Sequence, residues 1–198
     1  MKNIYREVNG EIIIGKSLPA LVVNSNGLYV LDDIEVYKDG KIICGSIKNY
    51  LWMERGETSL DDFARAVAQG KLVTTVPEGV HVYRFGVAAF MVANVYSQLE
   101  KKEDYLLAVH DILHELNGEL TSLDHCRAAF FQFLDEPSQE NHEQLRQAYE
   151  AIPSSRKMSV LDDIDDADTA ITAILVRDVP AIDKEWLEEL RDRYACLR

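Results

Sequence analysis

Val36-Tyr37-Lys38-Asp39-Gly40-Lys41-Ile42-Ile43-Cys44 sets two apolar arms on either side of Asp39-Gly40. Glycine reaches positive φ without the clash of a Cβ, so Asp-Gly between apolar arms predicts a β-hairpin, with Val36 and Ile42 flanking a two-residue turn. Leu28 to Tyr37 alternates at several positions and extends the first arm. Towards the N-terminus, Asn9-Gly10 separates Ile4–Val8 from Glu11–Ile14 and predicts a type I′ hairpin. Ala20–Val23 is a further short apolar run, stopped by the turn Asn24-Ser25-Asn26-Gly27. A meander of antiparallel strands is the expected product.

Beyond it, Ser59 can cap a short helix with Asp61 and Asp62 in its first turn, Phe63 and Val67 on one side, and Gly70 at its end. Leu72–Val76 and Val80–Tyr83 read as strands around the turn Pro77-Glu78-Gly79. The run from Phe85 to Gln98 is apolar nearly all round. Periodicity does not separate helix from strand there, and length favours a helix.

From residue 101 the rhythm is helical. Tyr105, Leu106, Val109, Ile112, Leu113 and Leu116 fall within a sector of about 120° and Gly118 stops that helix. Thr121 or Ser122 opens the next, with Leu123, Arg127, Phe130, Phe131 and Leu134 on one side and Pro137 marking its end or a new start. Ser138–Ile152 carries a thinner stripe of Leu145, Ala148, Tyr149 and Ile152. After Pro180, Asp183 caps a last helix with Trp186, Leu187, Leu190 and Tyr194 inward.

The charge follows the same division. The 198 residues hold 21 Lys+Arg against 34 Asp+Glu, a net of −13. Residues 1–100 contribute 10 against 12, and residues 101–198 contribute 11 against 22. The fold class is therefore α+β: an N-terminal antiparallel β meander (1–100) packed against an acidic helical half (101–198). No Gly/Ser linker separates them, so one compact body is expected. The acidic balance repels phosphate backbones and anionic lipids, which argues against nucleic acid and membrane surfaces as partners and leaves a basic protein partner attracted. Cys44, Cys126 and Cys196 are odd in number and widely spaced, which fits neither a disulfide framework nor a zinc ligand set. With no apolar signal segment after Met1 and no membrane-length run, a reducing cytoplasm is the expected compartment. Oligomeric state is not legible.

Two stretches invite site chemistry. In His110-Asp111-Ile112-Leu113-His114 the histidines stand at i and i+4, the spacing that converges on one metal ion in H-E-x-x-H sites, with Asp111 at the general-base position. His125, Asp124 or His142 would have to supply a third ligand. Against this, the apolar stripe of the same helix is centred near Val109, so His110 and His114 also fit a solvated flank. Asp162-Asp163-Ile164-Asp165-Asp166-Ala167-Asp168 suggests calcium, but in an EF-hand register Ala167 and Asp168 fall where a ligand and a glycine belong, and Ile174 where the glutamate belongs. A helix with Val160, Leu161, Ile164, Ala167, Ile171, Ile174 and Leu175 inward explains the aspartates as an acidic face, open to a basic partner.

Lesser candidates have simpler readings. His81 with Tyr83, Arg84 and Glu78 could do acid–base work in a pocket, or be ordinary strand residues. Cys126 and His125 are adjacent and point about 100° apart on a helix, so they form no dyad; Cys126 reads as a core thiol. Tyr50, Trp52 and Met53 are a contact patch or part of the core. No nucleophile elbow, Walker loop or dinucleotide fingerprint is present, and no motif calls for a cofactor.

The run Val36 to Gly45, followed by Leu60-x-x-Phe63, Gly70-Lys71-Leu72-Val73-Thr74 and Val76-Pro77-Glu78-Gly79, resembles an uncharacterised bacterial family. The resemblance continues through Leu116-Asn117-Gly118, Ser122-Leu123-x-x-Cys126-Arg127-x-Ala129-Phe130 and Leu145-Arg146-x-Ala148-Tyr149-Glu150-Ala151-Ile152-Pro153. It implies a domain of unknown function, akin to the acidic immunity-type proteins of toxin systems, and brings no activity with it. The family pattern departs at Gly45, where a Trp is usual, and at Asp162-Asp163-Ile164-Asp165, where Gly-Asp-Met-Asp is usual. The function expected is a non-enzymatic, immunity-like or regulatory protein-binding module using acidic helical surfaces. The alternative is a metal-dependent hydrolase on His110, Asp111 and His114.

Overall fold

A computed structural model describes residues 2–23, 27–44, 57–84, 88–92, 96–97, 101–161 and 167–198. It divides into two compact units, Met1–Glu119 and Leu120–Arg198. The division falls past the charge boundary at residue 100, because the first helix of the acidic half packs on the sheet.

In the first unit β1 (Lys2–Val8) and β2 (Glu11–Val23) form the hairpin read from Asn9-Gly10, whose φ angles of 53° and 84° suit a type I′ turn. β2 then pairs with β3 (Tyr29–Tyr37) from Gly15↔Tyr37 to Val23↔Tyr29. β3 turns into β4 (Ile42–Cys44), which pairs with β5 (Glu57–Thr58). The Asp39-Gly40 turn is one residue longer than the sequence suggested. Tyr37 donates its N–H to Lys41 O (2.9 Å) and Gly40 donates to Tyr37 O (2.9 Å), so Lys38-Asp39-Gly40 form a three-residue loop with Gly40 at φ 79°.

β2 also runs straight through Pro19, where the sequence suggested two separate strands. One edge of β2 is shared: β1 pairs as far as Ser17, and β6 (Leu72–Val73) begins at Leu21. Pro19 lies in the gap between them, so its missing N–H removes no ladder bond. Tyr105 fills that gap, its Oη accepting from Leu21 N–H (3.0 Å) and donating to Val73 O (3.3 Å).

The remaining strands are β7 (Thr75–Val76), β8 (His81–Arg84), β9 (Ala88–Met91) and β10 (Tyr96–Ser97). β8 pairs parallel with β3 and antiparallel with β9, and β10 pairs with β7. The parallel β3–β8 pairing departs from a pure meander. The helix favoured for Phe85–Gln98 is corrected: the described residues of that run are two strands. Its successive side chains Ala89, Phe90 and Met91 are exposed rather than buried all round.

α1 (Leu60–Ala68) is capped by Ser59, whose side chain accepts from Asp62 N–H. α2 (Asp104–Asn117) ends at Gly118, φ 72°. Both cover one face of the sheet, where Ala20, Val22, Ile34, Val36 and Ile42 meet Phe63, Ala66, Val67, Tyr105, Val109 and Ile112. Each large apolar side chain buried there contributes roughly 1.5–3 kcal/mol. Leu21, one residue out of phase, faces the other side with Val76, Val82 and Val92.

The second unit holds α3 (Ser122–Asp135), α4 (Gln139–Glu150), α5 (Ala167–Leu175) and α6 (Lys184–Arg193). Thr121 and Asp124 form a reciprocal capping box, and Ser138 and Asp183 cap α4 and α6 with their side chains. The core joins Phe130, Phe133 and Leu134 to Leu145, Ile152, Val160, Ile171, Ile174, Leu187 and Leu190.

Candidate functional site

The β1–β2 hairpin carries the core face of the sheet beyond the end of α2. On that face Tyr5 opposes Ile14 and Glu7 opposes Ile12. Tyr5 is 65% exposed, Ile12 73% and Ile14 40%. Where the face meets α2, Asn3, Tyr5, Ile14, Gly15, Lys16, Glu115 and Leu116 line a groove of about 300 Å³, and the Lys16 ammonium pairs with the Glu115 carboxylate.

On the opposite face of the hairpin an ion-pair cluster surrounds Arg6. The Arg6 guanidinium lies 4.7 Å over the Tyr37 ring and pairs with Asp39 (2.5 Å) and Glu57 (3.2 Å). Tyr37 Oη donates to Glu35 at 2.8 Å. Burial first, then the neighbouring Glu35 carboxylate, pushes the Tyr37 hydroxyl up to about 12, so it stays a hydrogen-bond donor and offers no proton for catalysis near neutral pH. The set ties three strands (β1, β3 and β5) and the β3–β4 loop together, and sequence periodicity gave no sign of it.

On α2 the expected stripe is present: Tyr105, Val109 and Ile112 are buried, with Leu106, Leu113 and Leu116 packed beside them. His110 is exposed and His114 half-buried, their ring centroids 6.5 Å apart, with His114 Nε2 3.8 Å from Glu119. Asp111 does not join them in solvent: it is 3% exposed, as is Asp104 one heptad earlier. Among the described residues, no group of three or more His, Cys, Asp or Glu stands close enough to hold a metal ion. Of the third ligands considered, Asp124 is engaged with Thr121, and His142 is buried with Nε2 3.1 Å from Ile174 O. His125 is exposed on α3.

His81 and Tyr83 share the outer face of β8, both exposed, with Arg84 alternating to the other side and Glu78 exposed in the preceding turn. Burial pushes the Cys126 thiol up to about 12, consistent with a core thiol, whereas Cys196 is exposed. Asp162, Asp163, Asp165 and Asp166 lie outside the described residues, as do Tyr50, Trp52 and Met53; Asp168 falls within α5.

The second unit has a charge arrangement that its sequence alone did not disclose. It contains 17 Asp+Glu against 9 Lys+Arg. Its cations are largely committed to the unit itself. Arg127 Nε donates to Val160 O (3.0 Å), Arg146 to Leu175 O (2.9 Å) and Arg191 to Leu134 O, the last two at helix C-termini, where positive charge is favoured. Lys157 lies over the Tyr149 ring, Arg177 over Trp186 and Arg198 over Phe131. The carboxylates point outward. Glu185, Glu188, Glu189 and Asp192 stand at i, i+3, i+4 and i+7 on α6, all exposed, while Leu187 and Leu190 face the core. Helical spacing from the Asp183 cap discloses that stripe, which is less dense in the sequence than the aspartate run at 162–168.

Two family models match. Residues 3–120 match a domain of unknown function, DUF7638, and residues 121–195 match a second, DUF7639. No curated protein and no solved structure matches the chain. Among the described residues, no helix is long and apolar enough to cross a membrane.

Proposed function

We propose that this chain, which belongs to the DUF7638 family of uncharacterised domains, is a non-enzymatic protein-binding module whose acidic helical unit holds a basic face of another protein. The observation that carries this reading is the division of labour among the charges of residues 120–198. Arg127, Arg146 and Arg191 reach backbone carbonyls of their own unit and Arg177 lies over Trp186, while the α6 stripe of Glu185, Glu188, Glu189 and Asp192 is exposed. With 17 Asp+Glu against 9 Lys+Arg, the second unit presents a net negative field, and such a field steers a cationic partner to it. An immunity-type or regulatory role is the form this activity takes.

The test is capture of partners from native lysate on immobilised full-length chain at low and high salt, beside a Glu188→Lys/Glu189→Lys variant of matched thermal stability. The expected result is a basic protein retained by the natural chain at low salt, released at high salt and lost from the variant. Equal retention by both chains, or no retained protein at either salt, overturns the reading.

A further inference from the structure

Among the described residues the outer edge of β1 is open. β2 occupies one side of it, and among the described residues no strand takes the other. Hairpin geometry decides which backbone groups face outward. Val8 and Glu11 flank the two-residue turn and exchange hydrogen bonds; by alternation Lys2, Ile4 and Arg6 also turn their backbone groups to β2. Asn3, Tyr5 and Glu7 therefore hold their N–H and C=O groups to the open edge. Their side chains lie on the face of the exposed Ile12 and Ile14. Natural edges are blunted by proline, bulges or projecting charge. This one has no proline and an unbroken seven-residue register. Its central cation, Arg6, is folded back onto Tyr37, Asp39 and Glu57.

We propose that β1 is a self-association edge, pairing antiparallel with β1 of a second copy about a two-fold axis at Tyr5. Charge selects the occupant and the register. With the axis at Tyr5, Asn3 meets Glu7, Ile4 meets Arg6 and Lys2 meets Val8, each twice, and no like charges are opposed. Asn3 can donate its side-chain amide to the Glu7 carboxylate, and the two Tyr5 rings meet at the centre. The neighbouring registers that still join the outward amides are penalised. An axis at Ile4 opposes Lys2 to Arg6, and an axis at Arg6 opposes the two Arg6 residues to each other. Asn3, Tyr5 and Glu7 each give and accept one backbone hydrogen bond, so the two short sheets become one.

Sedimentation of the full chain from roughly 1 to 100 μM tests the association, since an affinity in that range moves the population from monomer to dimer. Tyr5→Lys places two ammonium groups at the axis and is expected to sediment as a monomer with an unchanged far-UV spectrum and melting temperature. Oxidative trapping tests the register in a Cys196→Ser background. Tyr5→Cys brings two Cα atoms to about 5.5 Å, within disulfide reach. Asn3→Cys leaves its two copies about 13 Å apart along the strands. Rapid covalent dimerisation of Tyr5→Cys alone is expected. A natural chain that stays monomeric throughout, a Tyr5→Lys chain that still dimerises, or equal trapping at residue 3 overturns the proposal.

Discussion

Gly15 lies directly under the ring of Tyr37: a Cβ at residue 15 would stand 2.7 Å from Tyr37 Cδ1 and 2.6 Å from the Val36 carbonyl oxygen. The two residues are paired across β2 and β3. The missing side chain therefore makes the space in which the Tyr37 ring lies flat enough to take Arg6 on its face. Gly15→Ala is expected to destabilise the first unit by about 1–3 kcal/mol, the range for overpacking a site whose neighbours include backbone. Denaturant unfolding followed by tyrosine fluorescence measures it. Gly15→Ala combined with Tyr37→Leu should recover part of the loss, because the ring is one of the two obstacles.

Tyr105 is the peg that lets β2 pass Pro19. Its Oη is fully buried, accepts from the Leu21 amide and donates to the Val73 carbonyl. Tyr105→Phe keeps the ring packing and strands a buried amide, so a loss of roughly 1–3 kcal/mol is expected. Hydrogen exchange gives the local readout: the Leu21 amide should lose protection more than the Val36 ladder does.

Those two contacts also mark what the sequence could disclose. The Asn9-Gly10 turn, the caps at Ser59 and Asp183, the glycine stops at Gly70 and Gly118, and the α2 stripe were all legible, because each depends on residues within a few positions. The passage of β2 through Pro19, the parallel β3–β8 pairing and the strands after residue 85 depend on what lies alongside, which local rhythm does not encode. Asp111 shows the same limit at the candidate site: it lies about 160° round the helix from Val109, the centre of the apolar stripe, and is buried all the same. The acidic character of the second unit was legible from composition. The carbonyl partners of Arg127, Arg146 and Arg191 were not, since they lie 33, 29 and 57 residues away.

Asp32 sits on the core face of β3, in phase with Ile34 and Val36, and one of its carboxylate oxygens is buried without a hydrogen-bond partner among the described residues. Burial raises its pKa above the ordinary carboxylate value, assisted by the nearby Asp33 and Glu35 charges and opposed by the Asp33 amide. A raised folded-state pKa means the folded state binds the proton more tightly than the unfolded chain. Its contribution to stability is thus fully present below the unfolded value near about 3.9 and is lost as pH rises through the folded one. Asp32→Asn is expected to raise the melting temperature at pH 7. It should also remove this residue's gain on acidification, seen as a smaller difference between variant and natural chain below pH 4.

Asp124 has the opposite sign. The Thr121 hydroxyl (2.7 Å) and backbone N–H (2.8 Å) donate to its carboxylate, and these bonds hold its pKa below the ordinary range. Its stabilisation is present above the unfolded value near about 3.9 and disappears as pH falls through the lowered folded value. Asp124→Asn is therefore expected to weaken the start of α3 at neutral pH and to flatten the acid limb of the unfolding profile. Thr121→Ala should lose about 1 kcal/mol from the same cap, and the double variant should lose less than the sum, because both substitutions break one reciprocal box. Amide exchange at residues 121 and 124 reads the box directly: the expected pattern is faster exchange at Thr121 in the Asp124→Asn variant at pH 7, converging with the natural chain as pH falls through the lowered pKa, and faster exchange at Asp124 in the Thr121→Ala variant throughout. Unchanged exchange would mean that Phe130 and Leu134, buried farther along α3, hold the helix without its cap.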